Sequence, residues 1–180
     1  EKRLKKAFTP GEVELMRNAC RKPKEKATFE LLLSTGCRVT ELTMLTMENY
    51  DQQRGTITVI GKGNKERVVF VNARAKVAID NYLVIKPHSE GPILCGLHGV
   101  GTAMTSNGIQ KMVKEIGKRA GVTHVHPHKF RRTAATLALK RGMSLNDVRR
   151  FLGHTDVDTT LQYIDTSGSD LKLEHEKYVA

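Results

Sequence analysis

Two β-rich runs, Gly55-Thr56-Ile57-Thr58-Val59-Ile60 and Glu66-Arg67-Val68-Val69-Phe70-Val71, stand close together in a chain whose other apolar residues recur at helical spacing. Gly61-Lys62-Gly63-Asn64-Lys65 separates them, so the pair reads as a hairpin with a Gly-rich, doubly basic turn. One hairpin in a helical chain predicts a mainly α fold with a small antiparallel β-sheet, an α+β arrangement. Pro92-Ile93-Leu94 is the expected third strand.

The helical segments carry their own start and stop signals. Thr9-Pro10-Gly11-Glu12 is a capping box with proline at the first helical position, followed by Val13, Met16 and Cys20 on one face. A second helix through Phe29–Leu33 stops at Gly36, and helical spacing resumes from Val39 to Leu45. Ala73 to Lys86, Ser106 to Ala120, His126-Pro127-His128 to Arg141, and Ser144 to Leu152 follow, ended by Pro87, Gly121, Gly142 and Gly153. A last short helix starting at Asp158 or Thr159 would hold Tyr163. Residues 1–8 are basic, lack apolar periodicity and are expected to be a solvated lead-in or linker stub.

Charge narrows the function classes. The 180 residues hold 30 Lys and Arg against 19 Asp and Glu, a net +11, and a polyanion is the favoured partner of such a surplus. The surplus is uneven: from Asp165 onward four acids and two lysines give −2, so residues 1–164 carry +13. Aromatic residues make up 5% with no Trp, too few for a single-strand stacking platform. Three cysteines without a CxxC spacing argue against a disulfide framework or a cysteine zinc site and fit a reducing cytoplasm. No run of about 18 apolar residues suggests a membrane span, and the opening residues do not read as a signal peptide.

Five places carry candidate chemistry, each with an ordinary reading beside it. Arg38, between Gly36 and an apolar helix, is either a structural partner of Glu41 or a phosphate clamp whose fork Glu41 orients. Lys62 and Lys65 are either a solubilising turn or ammonium groups held over a bound phosphate backbone, able to donate a proton to a leaving oxygen. His128 and Arg131, three apart at a helix start, are a capping His with a surface Arg, or two groups aimed at one site. His154 follows the Leu152-Gly153 helix end, and Tyr163 comes nine residues later; a buried His and a packed Tyr are their plain readings.

Taken together, two arginines, two histidines, a lysine and a tyrosine are the parts needed to cut a phosphodiester without a metal. Fixed cations stabilise the charge that gathers on the nonbridging oxygens. A phenol near pKa 10 needs a base and a positive field to attack, and the departing 5′ oxygen needs an acid. The covalent tyrosyl phosphate keeps the bond energy, so a second hydroxyl can reverse the step.

The segments Ser34-Thr35-Gly36-Cys37-Arg38-Val39-Thr40-Glu41-Leu42, Gly61-Lys62-Gly63-Asn64-Lys65-Glu66-Arg67, Pro127-His128-Lys129-Phe130-Arg131-Arg132-Thr133, and Leu152-Gly153-His154 through Thr159-Thr160-Leu161-Gln162-Tyr163 resemble the motifs of the tyrosine recombinases, or phage integrase family. Order and spacing match across 9–165. The resemblance implies the catalytic-domain fold of that family and site-specific DNA recombination or integration through a covalent 3′-phosphotyrosyl intermediate. It implies that Arg38 and Arg131 clamp the scissile phosphate and His154 bonds a nonbridging oxygen. It implies His128 managing the nucleophile's proton, Lys62 as general acid, Tyr163 as nucleophile, and Glu41 as a supporting acid behind them. Lys65, Arg67, Lys129 and Arg132 are expected DNA contacts, and no metal or cofactor is expected.

Two departures stand out: Arg132 follows the second Arg where the family often has His, and Cys37 replaces a common Leu. The chain is expected to be a C-terminal catalytic domain alone, without the N-terminal DNA-binding domain of the family. Residues 166–180 are then a tail for protomer contact in a homo-tetramer on synapsed double-stranded DNA. The main rival reading is a noncatalytic helix-turn-helix-like DNA binder built on Ser144–Tyr163. It leaves Arg38, the Lys62 hairpin and His-x-x-Arg without a joint purpose. A type IB topoisomerase-like relaxase shares the chemistry without strand exchange, and a metal nuclease lacks an acidic cluster near the basic motifs.

Overall fold

The computed structural model describes residues 6–61, 63–96 and 101–153. Its elements in order are helices α1 (Pro10–Ala19), α2 (Pro23–Thr35) and α3 (Val39–Thr43), a 3₁₀ turn at Met47–Asn49, strands β1 (Tyr50–Asp51), β2 (Thr56–Ile60) and β3 (Glu66–Phe70), then α4 (Ala73–Ile85), α5 (Ser106–Ala120), α6 (Pro127–Lys140) and α7 (Leu145–Leu152). Both halves of the capping box at Thr9 are made, Glu12 N–H to Thr9 Oγ1 at 3.1 Å and Thr9 N–H to Glu12 Oε2 at 2.8 Å. These close two backbone donors that a helix start leaves open.

Helix α2 is the hub. It packs against α4, α5 and α6 and buries residues around much of its circumference, including Phe29, Leu31 and Leu32. A helix apolar on more than one side belongs inside rather than at a surface. Its buried polar groups are satisfied locally: Thr28 donates to the Lys24 carbonyl, Thr35 to the Leu31 carbonyl, and Glu30 accepts from Arg17. Phe29, Phe130 and Phe8 form an edge-to-face chain with centroids 5.3 and 5.1 Å apart. The solvated lead-in expected over 1–8 therefore fails at Phe8, which is 4% exposed. Its N–H donates to Thr133 at 2.9 Å, and Lys129 Nζ stands 4.2 Å over its ring.

The sheet has the order β1-β2-β3, antiparallel throughout, with Val59 opposite Arg67 and Ile57 opposite Val69. Its third strand is Tyr50–Asp51, not the expected 92–94 segment. That segment makes a single bridge, Pro92 to Thr46, and Ile93 N–H donates to the Leu45 carbonyl at 2.9 Å, so it plugs the core from a loop. Helix α6 ends at Lys140, one residue short of expectation, with Arg141 as its C-cap. Helix α7 rests on a small cluster of its own, in which Val148 and Leu152 pack on Ala135 of α6. Each fully buried aliphatic side chain is worth roughly 1.5–3 kcal/mol, which suffices to seat an eight-residue helix. Among the described residues no helix is long and apolar enough to cross a membrane.

Candidate active site

The site grows from the end of α2. Gly36 caps that helix in the left-handed conformation (φ 58°), where L side chains are strained. A Cβ there would also lie 3.0 Å from the Phe151 ring and 3.1 Å from Leu152, so glycine lets α7 close onto α2. Two helix ends, each rich in unpaired carbonyls, thus meet. Arg131, 1% exposed, fills the junction: Nη1 donates to the Gly36 carbonyl at 2.5 Å and Nη2 to the Leu152 carbonyl at 2.6 Å. The C-terminal ends of two helix dipoles hold a buried cation there.

Two residues beyond Gly36, Arg38 is the N-cap of α3. Glu41 reaches back to it, Oε2 accepting from the Arg38 N–H at 2.8 Å and Oε1 from Arg38 Nη1 at 3.0 Å. A second arginine arrives from the sheet. Arg67 on β3 forks onto the same carboxylate, Nη1 to Oε1 at 2.8 Å and Nη2 to Oε2 at 2.9 Å. Burial alone would raise the Glu41 carboxyl, but the Arg67 fork and the Arg38 N–H and guanidinium outweigh it and lower it to about 2. The carboxylate is 4% exposed and ionised, whereas the Arg38 side chain is 36% exposed.

Arg38 opens onto a cleft of about 370 Å³, lined also by Thr40, Glu41, Met44 and, from the hairpin, Ile60 at the end of β2 with Gly61 and Asn64 of the turn. The turn closes with Gly61 N–H donating to the Lys65 carbonyl at 2.8 Å, and Lys65 is exposed in it. The neighbouring Cys37 is buried, and burial pushes its thiol up, which removes it as a nucleophile.

The structure thus brings Arg38, Glu41 and Arg131 together, with Gly61 and Gly153, the residues immediately before Lys62 and His154, at the same place. His128 is exposed in the first turn of α6, one turn before Arg131. Lys62, His154, Tyr163 and the tail 166–180 lie outside the described residues. Two expected DNA contacts are corrected. Arg67 is 14% exposed at its side chain and committed to Glu41, and Arg132 is 9% exposed with Nη1 donating to the Lys6 carbonyl at 3.4 Å. Lys129 is half-buried over Phe8. The family motifs marked these cations as DNA contacts, but arginines seek buried acceptors as readily as phosphates.

The model of the phage integrase family matches residues 6–169 of the chain. This chain belongs to the phage integrase family. Among curated members, the tyrosine recombinase XerC of Staphylococcus aureus is 36% identical over 175 residues, covering 96% of this chain and 57% of the relative. XerC of Lactobacillus leichmannii is 35% identical over 164 residues, 86% of this chain and 55% of the relative. The chain therefore spans somewhat over half the length of these integrase-family relatives. The crystal structure of XerA recombinase superposes with a TM-score of 0.88 at 26% identity, over 99% of this chain and 65% of that one. The expected family fold, mainly helical with a small antiparallel sheet, is the one observed.

Proposed function

We propose that this chain cuts and rejoins double-stranded DNA for site-specific recombination, passing through a covalent 3′-phosphotyrosyl intermediate without a metal. One observation carries the reading: segments far apart in sequence deliver Arg38, the turn around Lys62, Arg131 and the chain entering His154 to the end of α2. The XerC relatives are named as recombinases, and a structure of the same fold, XerH (21% identical, TM-score 0.80), was solved with its palindromic difH DNA in a post-cleavage complex.

In this reading the scissile phosphate sits over the 370 Å³ cleft against Arg38. Arg131 contributes a fixed charge from beneath, in a setting where water screens it little. The Tyr163 phenol oxygen attacks phosphorus as His128 takes its proton. His154 bonds a nonbridging oxygen, and Lys62 protonates the departing 5′ oxygen. The reverse step, with a 5′ hydroxyl of another strand attacking, releases tyrosine. Lys65 and Lys129 supply backbone contacts, and binding should weaken steeply with salt. The working assembly is a tetramer on synapsed DNA in the cytoplasm, with residues 166–180 making protomer contacts.

The test is a duplex nicked beside the cleavage point, which lets the short fragment bearing the new 5′ hydroxyl diffuse away and traps the adduct. A DNA-protein species that survives SDS, forms fully in EDTA and disappears in Tyr163→Phe supports the reading. Tight binding with no adduct would instead favour the helix-turn-helix-like binder.

A further inference from the structure

The geometry points to Arg67 as a positioning residue of this cleavage site, one that fixes Arg38 toward the cleft and joins the hairpin to the chain entering His154. The assignment rests on the function proposed above. Arg67 shares the inward face of β3 with buried Val69, opposite buried Val59 of β2. An inward arginine needs an anion, and it has taken Glu41.

The bonding is reciprocal. Each Glu41 oxygen accepts one bond from Arg67 and one from Arg38: Oε1 from both guanidinium groups, Oε2 from the Arg67 fork and the Arg38 N–H. The Arg67 fork fixes the plane of the carboxylate, and that plane sets where Oε1 holds the Arg38 guanidinium. A lysine at 67 would bring the charge but only one point of attachment, leaving the carboxylate free to turn.

The side chain also lies between two glycines. A Cβ on Gly153 would fall 2.8 Å from Arg67 Cδ and 2.9 Å from Nε, and a Cβ on Gly61 would fall 3.6 Å from Nη1. Those glycines immediately precede His154 and Lys62. Arg67 is therefore wedged where three separately encoded parts of the site meet: the α3 start, the hairpin turn and the α7 end.

The experiment measures single-turnover cleavage of the nicked duplex, DNA affinity and the pH profile for wild type, Arg67→Lys, Arg67→Met and Arg67→Met with Glu41→Gln. Arg67→Lys should cleave about tenfold or more slowly, since small misplacements of reacting groups cost that much, while affinity stays near wild type. In Arg67→Met the Glu41 carboxyl, having lost its fork, titrates nearer the ordinary carboxylate range. Its rate should gain an inflection in the carboxylate range, additional to any that wild type and variant share through His128, and adding Glu41→Gln should remove it.

A merely structural strut would lower the melting temperature and leave rate per folded molecule, affinity and pH profile unchanged; that result overturns the assignment. Should Arg67→Met fail to fold, Arg67→Lys still decides, helped by Gly153→Ala, which crowds the Arg67 stem without touching its charge. A wild-type protein that forms no adduct sinks the proposed function itself. Wild-type cleavage with Arg67→Lys at full rate sinks only the role of Arg67.

Discussion

Two arginine–glutamate pairs are sealed into this molecule to nearly the same depth. In one, Arg17 of α1 grips Glu30 of α2, Nε to Oε1 at 2.5 Å and Nη2 to Oε2 at 3.2 Å, with side chains 14% and 2% exposed. In the other, Arg67 grips Glu41, with side chains 14% and 4% exposed. They differ in what comes next. Arg17 reaches on to Glu14, which also pairs with Arg74, so two acids meet two bases and the cluster closes neutral. Glu41 takes a second base, Arg38, and the surplus positive charge faces a cleft. A buried ion pair is weak evidence of function. One that leaves an oriented cation at an opening is stronger, because that cation can meet an anionic ligand.

The sharpest way to break this comparison is to neutralise both acids. Glu41→Gln and Glu30→Gln should each cost about 3–5 kcal/mol of stability, because each strands buried arginine charge; urea unfolding measures it. Cleavage should then separate them. Glu41→Gln should lose about 100-fold in single-turnover rate through misplacement of Arg38, and Glu30→Gln should leave the rate of its folded fraction near wild type. Equal losses of rate would erase the distinction between the clusters.

Acid titration sharpens it further. The Glu41 carboxyl is depressed to about 2 from an ordinary 4.5, so its contribution is fully present above about pH 4.5 and is lost as pH falls through about 2. The stability gap between wild type and Glu41→Gln should therefore hold from neutral pH to about 4.5. It should then narrow toward pH 2 by something on the order of 3 kcal/mol. A gap that closes well above pH 4.5 would contradict the double clamp.

A smaller effect separates packing from backbone strain at the site. Gly36→Ala forces a side chain into φ 58° and against Phe151, whereas Gly121→Ala at the end of α5 meets φ 68° with nothing within 4 Å. The second should cost about 1 kcal/mol and the first noticeably more. Equal melting temperatures for the two variants would mean that α7 does not press on the α2 end.

Much of this was legible because local signals agreed. Thr9, Pro10 and Glu12 fixed one helix start, Gly36, Gly121 and Gly153 three helix ends, and the β-rich runs the hairpin. The inward turn of Arg67 was not, because Val68 and Phe70 make the outer face of β3 as apolar as the inner one, and alternation alone gives no choice of face. Tyr50–Asp51 is two residues, too short to show a period. Phe8 is one aromatic in a basic stretch, with its partners Phe29 and Phe130 far along the chain. The Arg38–Glu41 pair presented itself as either structural or functional, and the two are compatible: the pair is made, and Arg38 still lines the cleft.

The most direct measurement of the central claim is peptide mapping of the trapped adduct. Trypsin should release Phe151–Lys172, a peptide that contains His154 and a single tyrosine, Tyr163. The account predicts that the DNA 3′ phosphate is found on that peptide, with EDTA present throughout. DNA strands cut only when a divalent metal is added, or a phosphate attached to any other peptide, would contradict it.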